Sequence, residues 1–284
     1  TLISRIFGFI RDIIFANFLG TGFLADVFYV AFRFPNTFRR IFSEGALNSS
    51  FIPVYAKLLD RQDNKEANIF AGNVSLLLLL TSGIIVILAE LFMPGFLSIL
   101  APGFLENSDK FNSLVMASRI IFPFLVLITM CSIYSAILNA HGKFALSAAL
   151  PIIMNIILIL SVLTTSYLGN NILTILSVGV LVAGTLQIAI LIFSLKQNKI
   201  EISFFKTFYK TGLQKFFKLF IPSLFSSGLL QINILVGTII ASYQASAVSY
   251  LYYADRIYQL PLALIGIALG IALLPTLSKK IKAG

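Results

Sequence analysis

Charges interrupt strongly apolar sequence at three places: Arg5, Arg11 and Asp12 in LISRIFGFIRDIIFANFLG, Arg33, Arg39, Arg40 and Glu44 in RFPNTFRRIFSEGA, and Asp255 and Arg256 in YLYYADRIYQLP. A guanidinium is a planar fork of donors that matches carboxylate or phosphate oxygens two at a time. In the first two stretches Arg5, Arg11, Arg33, Arg39 and Arg40 outnumber the acids Asp12, Asp26 and Glu44, so mutual neutralisation is incomplete. The chemistry these residues can do is anion binding. A catalytic reading lacks parts: with one histidine, His141, and one cysteine, Cys131, no His/Cys cluster has metal-ligand spacing, and no disulfide can form within the chain. No G-x-x-x-x-G-K-[ST] phosphate loop is present, so neither direct ATP coupling nor a cofactor is expected.

The elements that must position these residues are membrane helices. Hydrophobic residues make up 58% of the 284, charged residues 11%, and mean hydropathy is +0.95, against roughly 25% charged in an average soluble domain. Several apolar runs approach the roughly 20 residues that cross a hydrocarbon core. Eight helices are expected, at 2–20, 23–56, 68–92, 113–138, 144–168, 172–195, 216–243 and 247–276, giving an all-α polytopic membrane protein. The first residue is Thr1 and the chain stops at KKIKAG after an apolar run, as expected of a segment of a longer protein.

Alternate connections then fall on opposite sides. One side holds Lys57, Arg61, Lys65, Lys143, the lysines of 196–218 and Lys279, Lys280 and Lys282; on the other, Lys110 is the only cation. Cytoplasmic loops collect Lys and Arg, which orients the chain and accounts for most of the formal charge of +10 without a nucleic-acid partner. The connection KQNKIEISFFKTFYKTGLQKFF alternates aromatics with lysines, so 196–215 reads as an amphipathic piece on an anionic leaflet or simply as a charged loop that fixes topology. The opposite connection 93–112, with Pro94-Gly95 and Pro102-Gly103, reads as a loop holding a short interfacial helix.

Each charge at mid-bilayer costs about 2.5–3.5 kcal/mol on insertion scales. The first helix is therefore expected to span the membrane facing a polar cavity. The second, at about 34 residues and about 50 Å, is too long for a straight crossing and is expected to bend near FRFPN, at Pro35. Arg40 and Glu44 stand four apart and can pair; Arg39 has no acid at helical spacing on that helix. Single polar residues elsewhere, among them Asn155 and Gln187, read as packing contacts, and His141 as a turn residue. A helix pair with central charges, a late proline (Pro53, Pro275) and a terminal lysine (Lys57, Lys279) occurs twice in the same orientation. With six helices between the starts, this reads as a parallel repeat of six-helix bundles: an N-lobe over 1–195, the connection, and the first two helices of a C-lobe over 216–284.

SRIFGFIRD, FRFPNTFRRIFSEGA, FIPVYA, YYADRIYQLP and LGIALLPTLS, in this order and spacing, resemble the MurJ (MviN) lipid II flippases of bacterial cell-wall synthesis, within the multidrug/oligosaccharidyl-lipid/polysaccharide exporter superfamily. The resemblance runs the length of the chain and covers the first eight of the usual fourteen helices. It implies a non-enzymatic flippase of the bacterial cytoplasmic membrane. Such a protein moves lipid II, an undecaprenyl-pyrophosphate-linked muropeptide, from inner to outer leaflet by alternating access, among membrane lipids and beside the cell-wall synthesis machinery. It implies substrate-binding roles for Arg5, Arg11, Arg39 and Arg256, and cavity or gate roles for Asp26, Glu44 and Asp255. Some relatives carry an acidic sodium ligand where this chain has Gly237, which leaves sodium coupling without that ligand. Three rivals remain at this stage: an exporter of another polyprenyl-pyrophosphate-linked oligosaccharide, a membrane enzyme acting on a polyprenyl phosphate, and a scaffold. Surplus intramembrane arginine disfavours the last.

Overall fold

A computed structural model describes residues 2–60, 64–168, 171–204 and 209–259, which are helical almost throughout. The helices are α1 (Leu2–Leu19), α2 (Phe23–Arg39), a π-helical segment (Arg40–Ala46), α3 (Leu47–Asp60), α4 (Asn64–Leu91), α5 (Met93–Leu100), a 3-10 turn (Pro102–Glu106), α6 (Ser108–Ile121), α7 (Phe124–Ala140), α8 (Phe144–Leu168), α9 (Ile172–Gln197) and α10 (Lys210–Ser242). An eleventh, α11, covers 247–259. Among the described residues, five helical stretches are long and apolar enough to cross a membrane: α4, α6–α7 taken together, α8, α9 and α10. The charged α1, with Arg5, Arg11 and Asp12 in 18 residues, is not among them.

Local sequence chooses the ends. Asn107 caps α6 by accepting from Lys110 N, and Asn171 caps α9 by accepting from Leu173 N, each at 3.0 Å. Pro123 separates α6 from α7. Several hydroxyls inside apolar helices bond back to carbonyls one turn earlier, as Ser82 does to Leu78, Thr129 to Leu125 and Ser177 to Leu173, which satisfies those donors within their own helix. Small residues let helices approach. A Cβ at Gly179 would run into the Ser161 hydroxyl of α8, and one at Gly184 would come within 2.6 Å of the Phe124 ring.

The α6–α7 pair forms the centre, 72% of its most apolar window being buried, against 18% for α10, whose Phe225, Leu229 and Ile240 face outward. Around the centre pack Phe51, stacked on Tyr55 and Phe70, and Phe34, stacked on Phe122. The outward rows of α4, such as Leu80, Ile84, Ile87 and Leu91, are each more than half exposed, the pattern of a lipid-facing surface.

Three features differ from the sequence expectation. The second helix is not one α-helix over 23–56: α2 continues through Pro35, and regularity changes at Arg40–Ala46, where i→i+5 bonding widens a turn. The contact there supplies the reason, since Gly45 meets Ser227 of α10 so closely that a Cβ would overlap its side chain. In the connection 196–218, residues 200–203 have no regular secondary structure; Ser203 N donates to Asn68 O at 3.1 Å, and Gly72 of α4 abuts the Ser203 backbone. Helix resumes at Lys210 as the first turns of α10 rather than as a separate amphipathic piece. The expected single helix 113–138 starts at Ser108 and is interrupted at Pro123. By contrast, 93–112 does hold a short helix, α5. Pro261, Pro275 and the terminal lysines lie outside the described residues, as do the side chains of Phe42, Ser43 and Glu44.

Candidate functional site

Helix α1 faces a cavity of about 1180 Å³ with Ser4, Arg5, Gly8, Arg11 and Asp12, a stripe at three- and four-residue spacing. Arg39 and Arg40 enter from the end of α2, Asn155 from α8, and Asp255 and Arg256 from α11. Arg5, Arg11, Arg39 and Arg256, the four arginines to which the resemblance gives substrate-binding roles, therefore line one space together with Arg40, whereas Arg33 donates to Thr238 Oγ1 at 2.8 Å and does not line it. Among the described lining residues five guanidinium groups face two carboxylates, leaving a surplus of three formal positive charges.

At the inner wall Asp12 is the hub. Arg11 Nε and Nη2 donate to its Oδ1 at 3.0 and 2.6 Å, and the Tyr252 hydroxyl donates to the same oxygen at 3.2 Å. Arg256 Nε lies 3.2 Å from Oδ2, close enough for ionic attraction but misaligned for a hydrogen bond, so this nitrogen has no acceptor. Arg11 Nη1 donates to Asn155 Oδ1 at 2.9 Å, while Arg11 Nη2 and Arg256 Nη2 both donate to Tyr252 Oη, at 3.0 and 3.1 Å. Tyr252 is in turn stacked on Tyr29 of α2 at 3.7 Å. Arg11 and Asp12 are almost fully buried, whereas the Arg256 side chain is 29% exposed. Asp12 thus neutralises the buried Arg11 and is shared with Arg256, whose Nε is buried against it while the side chain as a whole stays 29% exposed and lines the cavity.

Further along, Arg39 is half-buried and donates through Nε to Asn36 Oδ1 at 3.1 Å; Arg5 is exposed into the space. Asp255 accepts from Gln259 Nε2 one turn on. The dielectric of such a recess lies below that of water, which strengthens attraction for an entering anion.

Asp26 does not line this cavity. It is fully buried beyond the α1–α2 turn, where Lys110 Nζ approaches Oδ2 at 2.7 Å and Ser249 N donates to Oδ1 at 2.9 Å. Lys110 also lies 3.9 Å above the Phe104 ring. Around this pair Gly22 N donates to Ser249 Oγ, Gly103 N to Ser242 Oγ and Tyr253 Oη to Gly20 O. These bonds join the α1–α2 turn, the 93–112 connection and the start of α11 into a seam closing that end. Glu44 belongs to the side chains outside the description.

Sequence reasoning missed three participants. Asn155 was grouped with packing residues, and a lone neutral amide in an apolar helix carries no signal of its partner. Tyr252 stands one turn before Arg256, a spacing that pointed to it. Lys110 was visible as the sole cation of its side.

A family model described as lipid II flippase MurJ matches residues 15–284. A probable lipid II flippase MurJ of Rhizobium tropici is 40% identical over 288 residues, covering all of this chain and 54% of the relative. The solved structure of a lipid II flippase MurJ in an inward closed conformation superposes with a TM-score of 0.83 at 27% identity, over 99% of this chain and 58% of that one. A multidrug-resistance MATE family transporter, at 14% identity and a TM-score of 0.71 over 91% of this chain and 59% of its own, shares the fold. The chain spans about half the length of the relatives it matches. From the family match, the superposition and the apolar helices together, this multi-pass membrane chain belongs to the MurJ family of lipid II flippases.

Proposed function

We propose that this chain is the cavity-bearing part of a flippase that carries lipid II across the bacterial cytoplasmic membrane, without a chemical step, by alternating access between two lobes. The observation that carries the reading is the arginine surplus lining one cavity, contributed by α1, the end of α2 and α11. A pyrophosphate brings about two negative charges and oxygens spaced for guanidinium forks. The N-lobe is 1–195 and the C-lobe begins with 216–284, six spanning helices followed by two. Lysine-rich connections, 196–215 among them, face the cytoplasm.

In this reading Arg39 of the N-lobe and Arg256 of the C-lobe grip one pyrophosphate from two sides. Arg5 draws it in, and Arg11, already satisfied by Asp12 and Asn155, shapes the wall and adds field. Asp255 and Glu44 balance charge near the cavity, and Asp26 holds the far gate shut through Lys110 and Ser249. The polyprenyl tail stays in lipid through a gap between helices, with membrane potential or an ion gradient as the drive. The cell-wall synthesis machinery is the natural neighbour on either side of the step.

Binding tests this directly. The full-length purified protein in detergent should bind lipid II, with inorganic pyrophosphate competing. Arg256→Ala and Arg39→Ala should each weaken binding by about tenfold or more, the scale of a lost charge-assisted contact. Unchanged affinity in both variants would remove the arginines from the mechanism. Binding of a pyrophosphate-linked glycan of another kind in preference to lipid II would transfer the reading to that cargo.

A further inference from the structure

We propose a second anion site, outside the arginine cavity, in which Lys57, Lys215 and Lys218 hold the headgroup phosphate of an anionic phospholipid while its acyl chain lies along Pro53 and Leu219. A groove of about 380 Å³ between α3 and α10 brings these residues together and shares no lining residue with the arginine cavity. All three lysines are exposed, and none makes an ion pair with a described acid. Lys215 and Lys218 share a face of α10 at i,i+3, and Lys57 meets them from α3, one turn beyond Pro53. Ammonium groups act on phosphate as compact point charges that need no fixed fork geometry.

The rest of the groove is apolar and preformed. Tyr209 closes one side, its ring held edge-on to Phe70 at 6.5 Å; a Cβ at Gly212 would run into that ring, so glycine is what lets it lie there. Pro53 and Leu219 remain exposed, Leu219 at 44%. A cluster of lysines directly above uncovered apolar side chains is complementary to an amphiphile with an anionic head, and each lysine near such a headgroup layer strengthens binding by about fivefold. A free phosphate would satisfy only the lysines. Because α3 and α10 flank the groove, and Ser49 Oγ donates to Ser223 Oγ at 2.9 Å further along the same helix pair, an occupying lipid favours this apposition of the lobes. The leaflet assignment rests on the cytoplasmic orientation proposed above; the binding itself does not.

Native mass spectrometry of the full-length protein released from nanodiscs of mixed phosphatidylcholine and phosphatidylglycerol measures which lipid stays bound. Phosphatidylglycerol should be retained over phosphatidylcholine by the wild type. The triple variant Lys57→Gln/Lys215→Gln/Lys218→Gln should lose that preference by tenfold or more, and Lys57→Arg/Lys215→Arg/Lys218→Arg, a check on folding, should keep it. Neutralising Lys196 and Lys199 outside the groove should change nothing. Equal retention by wild type and the glutamine variant, or an equal loss on neutralising Lys196 and Lys199, overturns the site. Displacement of the lipid by millimolar inorganic phosphate alone would assign the lysines to a free anion and overturn the lipid reading. The readout involves no transport, so it stands or falls separately from the flippase proposal.

Discussion

Asp12 shows how one carboxylate decides what two arginines can do. It faces Arg11 on its own helix and Arg256 on α11, and both it and Arg11 are almost fully buried. Removing one member of a buried pair leaves the other charged and unsatisfied, at a cost of about 3–5 kcal/mol. Asp12→Asn should therefore lower the unfolding midpoint of the detergent-solubilised protein far more than Asn155→Ala, which removes one hydrogen bond to Arg11; equal small shifts would show that Arg11 finds another counter-ion. Arg5, Arg11, Arg39 and Arg256 were legible because an arginine inside an apolar run has few physically tolerable surroundings. Asn155 was not, because a neutral amide can be satisfied by almost any carbonyl or side chain nearby.

The elements were legible wherever hydropathy alone sets them. The expected helix 144–168 coincides with α8, and 172–195 falls short of α9 by two residues. The π-helical segment was not legible, because its cause lies on another helix: Gly45 abuts Ser227 of α10. Gly45→Ala should destabilise the protein by about 1–3 kcal/mol through overpacking, and Gly45→Ala/Ser227→Gly should recover most of it in thermal unfolding. An additive double variant would place the strain elsewhere. The turn after α7 gives a pH-dependent case. His141 is exposed on the turn, with its ring 3.1 Å from the Tyr55 hydroxyl, and partial desolvation there lowers its pKa from the usual 6.5. A base whose folded pKa is depressed favours the folded state when neutral, so its small, solvent-screened contribution is complete above about 6.5 and is lost as pH falls below it. Stability should drop on acidification from pH 7 to pH 5 in the wild type and less steeply in His141→Asn; parallel curves would contradict the assignment.

At the scale of the molecule the two ends are unlike. One carries the arginine cavity, and the other is closed by the seam around Asp26, Lys110 and Ser249. Such a seam has no sequence pattern, since its members come from positions 20–26, 103–110 and 242–253. If Lys110 helps hold the closed state, Lys110→Gln should add a longer component to the distance distribution between spin labels at positions 106 and 244 in a Cys131→Ser background. An unchanged distribution would leave the backbone bonds as sufficient closure. The central claim, that cavity arginines move a pyrophosphate-linked cell-wall precursor, is tested most directly in a bacterium whose own flippase can be shut off. Lipid II reaching the outer surface is scored with the full-length wild type, Arg39→Ala or Arg256→Ala expressed at equal levels. The account predicts restoration by the wild type and loss in both variants; a wild type that inserts correctly but restores no surface lipid II, or variants that restore it fully, would contradict it.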